Sequence, residues 1–235
     1  MRRFALLSLL LAAACAPVMP PPPAGAPVTL PASAPVVSSR QASRNFEIAV
    51  ARIEPVAERL CRQRRPRDNC DFLIVVDDRP GLPANAFQTL DRSGRPVLGF
   101  TLALIADARN ADEIAFVMAH EAAHHIAGHI PRAQGNATLG AVLGGTIATA
   151  LGVSDPNAID TALRLGATVG ARSYSKDFEL EADALGTIIT HRAGFDPLRG
   201  AEFFTRIPDP GNRFLGTHPP NAQRIETVRR TAARL

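Results

Sequence analysis

Apolar residues recur along this chain with two periods, and the switches between them mark out the elements. Phe46, Val50, Ile53, Val56 and Leu60 fall at helical spacing over residues 44–62, with Pro55 expected to kink the helix. The run CDFLIVVDD at 70–78 is short, rich in β-formers and bounded by turn residues, which reads as a buried strand. Extended pieces near 85–90 and 96–101 flank the turn DRSG, and the three together predict a small sheet. Asn110, with Glu113 three residues on, forms a capping box before IAFVMAHEAAHHIAGHI, and Pro131 is expected to end that helix. Residues 137–153 are apolar and small, with Gly140 and Gly144 at GxxxG spacing. They predict a close-packed or mobile helix near the site, with a membrane span, weakly hydrophobic and barely long enough, as the alternative. Asp155-Pro156 restarts a helical pattern that runs through FELEADALGTIITHRAG to Gly194. Asp196-Pro197 opens another helix, and a basic helix follows Pro220. The expected fold class is α+β, mostly helical with a small β-sheet, in one domain over 44–235.

Composition changes this picture mainly at the N-terminus. Arg2 and Arg3 precede an apolar run from Phe4 to Leu11, followed by Ala12-Ala13-Ala14-Cys15. That order predicts a signal peptide over 1–14, too short to span a bilayer comfortably. The cysteine after LAAA resembles a bacterial lipoprotein signal, with Cys15 as the lipidated residue. Ala16 in place of aspartate points to the outer membrane, facing the periplasm; secretion to the periplasm is the alternative. Residues 16–38 hold eight of the twenty prolines, so 15–43 reads as a lipidated cysteine and an extended tether. Cys61 and Cys70, the other cysteines, are close in sequence in an exported chain and predict a disulfide. The net charge of +4 is carried almost wholly by scattered arginines, Lys176 being the only lysine. No nucleic-acid-binding pattern with interleaved aromatics is present, so nucleic acid is not an expected partner.

The chemistry lies at 120–129, HEAAHHIAGH, where four of the six histidines fall. On a helix His120 and His124 sit about 40° apart on one face, so their imidazoles can converge on one zinc ion. Glu121 stands beside them, within reach of a water on that metal. This is the H-E-x-x-H arrangement, with His120 and His124 as ligands and Glu121 as the base. His125 and His129 have no such glutamate. On a continuous helix His129 points about 180° from His120, which makes both histidines surface or supporting residues.

A catalytic zinc keeps three protein ligands and an open position. A third histidine at the metzincin offset is excluded, because Ala127 and Ile130 stand where glycine and histidine are needed. FELEAD offers Glu179, Glu181 and Asp183. Glu179 and Asp183 share one helix face, while Glu181 leaves the opposite side. One face can supply both a ligand and a carboxylate that orients a ligand histidine.

H-E-x-x-H, then E-x-x-A-D some fifty residues later, then THPPNAQRI, resembles the HtpX and CAAX-prenyl-endopeptidase family of gluzincin metallopeptidases. The likeness covers roughly residues 45–230 and includes NAF at 85–87 and EADALG at 181–186. It implies a zincin-like metallopeptidase domain with one Zn2+ held by His120, His124 and Glu179. Glu121 would be the base and Asp183 the supporting carboxylate. His218, in GTHPP, would lie on the zinc side of the cleft, either stabilising the tetrahedral intermediate or blocking the metal as a lid. The family's membrane-embedded members carry several spanning helices. This chain lacks them and looks like the exported, single-domain branch, for which envelope proteins, and not prenylated ones, are the expected substrates.

The expected activity is hydrolysis of peptide bonds in cell-envelope proteins, in quality control or processing. A zinc-stabilised periplasmic chaperone or assembly factor with little proteolysis is the alternative, and the presence of Glu121 argues against it. Val97-Leu98-Gly99-Phe100 is the strand expected to accept the substrate backbone.

Overall fold

Ser38 accepts a hydrogen bond from the Gln41 amide, and helix α1 (Ser39–Arg64) starts from that cap. The helix therefore begins earlier than its apolar spacing indicated, and it continues through Pro55 as one element. The computed structural model describes residues 37–173, 175–211 and 218–235. The expected signal peptide, Cys15 and the tether as far as residue 36 lie outside the described residues. Ala49, Ile53, Val56, Ala57 and Leu60 form the buried stripe of α1. A disulfide between Cys61 and Cys70 ties the end of that helix to the chain leading into the sheet.

The sheet consists of β1 (Leu73–Asp77), β2 (Ala86–Leu90) and β3 (Pro96–Thr101), in the order β1-β3-β2. β3 runs parallel to β1 and antiparallel to β2. The turn between β2 and β3 is closed by Asp91, whose carboxylate accepts the Ser93 and Arg95 amides. Because β3 is paired on both sides, Val97–Phe100 has no free backbone edge. The strand expected to receive substrate is thus the centre of the sheet, and β2 is an edge. The reason is topological: the connection between β1 and the β2–β3 hairpin places the last strand in the middle, which local hydrophobicity does not encode.

Thr101 caps α2 (Leu102–Asp107), and Asn110 caps α3 (Ala111–Ile126) by accepting the Glu113 amide at 3.0 Å. Glu113 completes the box one residue early, on the Arg109 amide at 2.8 Å, and is itself fully buried against Arg206. α3 is the central helix: Ile114 to His120, with Ala122, Ala123 and Ile126, are buried. Each of its large apolar side chains contributes roughly 1.5–3 kcal/mol when fully buried.

Pro131 does not end this helix. The helix stops at Ile126, Gly128 turns the chain with φ at +69°, and α4 (His129–Ala150) starts afresh with Pro131 in its first turn. A proline there loses no helical hydrogen bond, since amides of the first turn have no partner inside the helix. α4 forms a hairpin with α5 (Pro156–Ser173), with the backbones of Gly140 and Gly144 against Gly166. No described helix is long and apolar enough to cross a membrane.

α6 (Ser175–Arg192) lies against α3, and Gly186 sets their separation. A Cβ on Gly186 would stand 3.1 Å from the His120 backbone nitrogen, so glycine lets the two helices approach closely at the level of the histidines. Asp196 then caps α7 (Pro197–Ala201), a 3-10 turn spans Glu202–Thr205, and α8 (Asn221–Ala232) packs against α6. The result is α+β and mostly helical, with one small sheet.

Candidate metal centre

Helices α3 and α6 meet with His120 and His124 on one side and Glu179 on the other. Their Nε2, Nε2 and carboxylate atoms form a triangle: 3.0 Å between the two rings, 3.4 Å from His120 to Glu179 and 3.3 Å from His124 to Glu179. A tetrahedral zinc with bonds near 2.0–2.1 Å needs ligand atoms about 3.3 Å apart. Among the described residues this is the group of histidine and acidic side chains whose ligating atoms converge tightly enough to hold an ion. His120 and Glu179 are buried. The residues present therefore fit a zinc ion by donor type and by spacing.

The ring nitrogens facing away from the triangle are anchored, which aims Nε2 of each ring inward. His120 Nδ1 lies 2.9 Å from the Asp183 carboxylate. Asp183 in turn accepts Arg224 in a fork, Nε at 2.8 Å and Nη2 at 2.7 Å, and Arg224 stacks 3.9 Å over the Phe204 ring. Asp183 is fully buried and Arg224 nearly so. His124 Nδ1 meets His129 Nδ1 at 2.7 Å.

The electrostatics favour positive charge at the triangle. Burial alone would raise the Glu179 carboxyl, yet hydrogen bonds from His120, His124 and His218 hold it well below the usual carboxylate range. Burial and the charge of Arg224 pull His120 down, but Asp183 and Glu179 outweigh them and push it up to about 9. Burial would raise Asp183, and Arg224 lowers it instead. The carboxylates that favour a positive charge on His120 would favour a metal cation for the same electrostatic reason.

A cleft of about 480 Å³ opens onto the triangle. Glu121 lines it, as do His218 and Arg224, together with the apolar Phe116, Val117, Phe203, Phe204, Ile207 and Pro208 and the segment Ala84–Ala86. His218 Nδ1 lies 3.1 Å from Glu179 Oε2, while its side chain stays half exposed. His218 is thus on the same side of the cleft as the triangle.

Two expectations for the supporting residues change. His129 does not face away: the break at Gly128 ends the helical phase, and the buried ring folds back onto His124. Burial, aided by the charge of His124, pushes it down to about 4. Glu181 leaves α6 on a different face from Glu179, but it does not lead to empty solvent. Its carboxylate lies 3.3 Å from His129 Nε2 and 2.6 Å from Arg132 Nη1. His125 is structural, bonding the Asn69 carbonyl at 2.8 Å and meeting the Phe72 ring edge-on. Cys15 lies outside the described residues.

Sequence reasoning undervalued Arg224, and the clue was present. In α8 the buried positions Asn221, Arg224, Thr227 and Val228 follow helical spacing, so an arginine on the inward stripe demands a buried acid.

The sequence model of peptidase family M48 matches residues 48–232. The mitochondrial metalloendopeptidase OMA1 of Saccharomyces cerevisiae is 33% identical over 173 residues, which is 68% of this chain and 47% of that protein. The beta-barrel assembly-enhancing protease of Escherichia coli K12 is 30% identical over 173 residues, 68% of this chain and 34% of that protein. A putative beta-barrel assembly-enhancing protease of Vibrio cholerae is 32% identical over 126 residues, 50% of this chain and 25% of that protein. The chain spans at most about half the length of these relatives.

Proposed function

This chain belongs to peptidase family M48, and we propose that it is a zinc-dependent metalloendopeptidase that cuts proteins of the cell envelope, in quality control or processing. The observation that carries this reading is the convergence of His120, His124 and Glu179 in a cleft that Glu121 also lines.

His120, His124 and Glu179 would hold the zinc ion, which would supply Lewis acidity for a scissile carbonyl and for a water near neutral pH. Glu121 accepts the proton of the attacking water and returns it to the departing amine. Asp183, locked by Arg224, holds the His120 ring so that Nε2 faces the reaction centre. The β2 edge offers backbone donors and acceptors to an extended substrate, beside the wall of Phe116, Phe203, Phe204 and Ile207, which suits an apolar side chain. His218, against Glu179 at the open side of the triangle, is placed to act on the reacting carbonyl or to obstruct it.

Three observations support the envelope as the place of action. Arg2-Arg3, the apolar run to Leu11 and Cys15 read as an export signal with a lipid anchor. The Cys61–Cys70 disulfide fits an oxidising compartment. Two of the relatives are named for β-barrel assembly. On this reading the chain is an outer-membrane lipoprotein facing the periplasm.

The test is Glu121→Gln in zinc-loaded protein, incubated with unfolded casein and with envelope proteins. Zinc content stays at the wild-type level, and cleavage falls by about two orders of magnitude, the scale of a lost general base. Cleavage within threefold of wild type would refute the assigned role.

A further inference from the structure

The two histidines of the triangle are not supported in the same way. His120 rests directly on a carboxylate that an arginine clamps, whereas His124 rests on another imidazole. Behind that imidazole stands a second carboxylate–arginine pair, Glu181 and Arg132. We propose that His129, held by Glu181 and Arg132, positions His124 for metal binding by accepting a hydrogen bond from its Nδ1–H. This inference rests on the zinc reading above.

Hydrogen-bond directions follow from the donor inventory. For His124 to offer the Nε2 lone pair to a metal, its proton must sit on Nδ1. The short contact then runs from His124 Nδ1–H to His129 Nδ1, which must be an acceptor. His129 consequently carries its own proton on Nε2 and donates it to Glu181 Oε2 at 3.3 Å. Glu181 can accept that bond and the 2.6 Å bond from Arg132 at once, because a carboxylate oxygen has two lone pairs. Every partner in the chain fits one proton arrangement, and that arrangement leaves His124 Nε2 free of hydrogen.

The imidazole is also fixed sterically. His129 is buried and stacks on Phe178 with ring centroids 4.6 Å apart and planes 9° from parallel. Arg132 lies 4.4 Å from the same ring, so Phe178 fixes two members of the relay. The start of α4 at His129 depends on Gly128, whose positive φ other residues resist. Without that break His129 would stay on the helical phase that points away from the site.

The two supports differ in exposure. Asp183 is fully buried, while the Glu181 side chain is 45% exposed, so the His124 arm ends at the surface. Glu181 can therefore be altered without disturbing the core.

The experiment measures zinc affinity by competition with a chromogenic chelator, and the absorption spectrum of the cobalt-substituted protein, for the full chain. His129→Phe keeps the stacking on Phe178 and removes both nitrogens, and His129→Gln restores an acceptor. Glu181→Gln is the surface variant that keeps the fold if His129→Phe does not. The expected result for His129→Phe is zinc affinity about 10–100-fold weaker, the usual scale for partners of a ligand histidine, with a shifted cobalt spectrum. Glu181→Gln should lose about tenfold. His129→Gln should recover most of the affinity, which a purely packing role would not predict. Zinc affinity within twofold of wild type in both His129→Phe and Glu181→Gln, with His120→Ala binding none, overturns the relay alone. Wild-type protein that takes up no zinc overturns the metal reading and the relay together.

Discussion

Replacing Asp183 by asparagine tests the buried support of His120 with almost no change in shape. The carboxylate accepts two bonds from Arg224 and faces His120 Nδ1 at 2.9 Å, at a fully buried position. Asparagine keeps one acceptor, points an amide donor at the guanidinium or the imidazole, and leaves the buried, charged Arg224 with only its longer contact to Glu179 at 3.7 Å. Removing one partner of a buried ion pair costs roughly 3–5 kcal/mol. At about 2–4 °C per kcal/mol for a domain of this size, metal-free protein should melt some 6–20 °C lower. Arg224 on Phe204 offsets part of this, so the lower half of the range is expected. The assay is urea denaturation of chelator-treated wild type and Asp183→Asn at several pH values.

The pH dependence has a definite sign. Arg224 holds the Asp183 carboxyl below its ordinary value in the folded protein, so its stabilisation is complete above the unfolded value of about 4. It is lost as pH falls through the depressed folded value. The gap between wild type and variant should therefore be full at pH 7 and narrow below pH 4. A gap under 1 kcal/mol at pH 7, or one that does not narrow in acid, would refute the reasoning.

Two further outcomes follow from the geometry. His218→Ala should change casein cleavage by tenfold or more, about 1.4 kcal/mol in barrier, with zinc retained. A rise marks His218 as a lid over the open position and a fall marks it as a stabiliser, whereas an unchanged rate would leave it no part in the reaction. Cys61→Ser with Cys70→Ser should lower stability by about 2–3 kcal/mol in the chain-entropy account, read by denaturant midpoint; equal midpoints with and without reductant in wild type would contradict this.

What the sequence determined by itself is local. His120, Glu121 and His124 could be placed because helical phase is the same in every helix, and the capped, apolar-periodic segment from Asn110 left little choice but a helix. The pairing of Glu179 with Asp183 on one face of α6, the small three-stranded sheet and the Cys61–Cys70 neighbourhood follow from equally short-range rules. Resemblance across three ordered motifs then pointed to Glu179 as the expected third ligand, which spacing alone left among three carboxylates.

Only tertiary structure decided the rest. Periodicity extrapolated through Ile130 put His129 on the far side, because a helix carries its phase forward until something interrupts it. Gly128 interrupts it, and the new helix starts where His129 can stack on Phe178 of α6. Strand order likewise depends on how β1 and the hairpin close onto the helical layer, so no pattern within β3 could say that it would be paired on both sides. Arg224 reaches Asp183 across forty-one residues of chain, and α3 and α6 pack closely where Gly186, without a side chain, meets the His120 backbone. Those are long-range packing events, and their energies come from burial and desolvation that exist only once the helices have met.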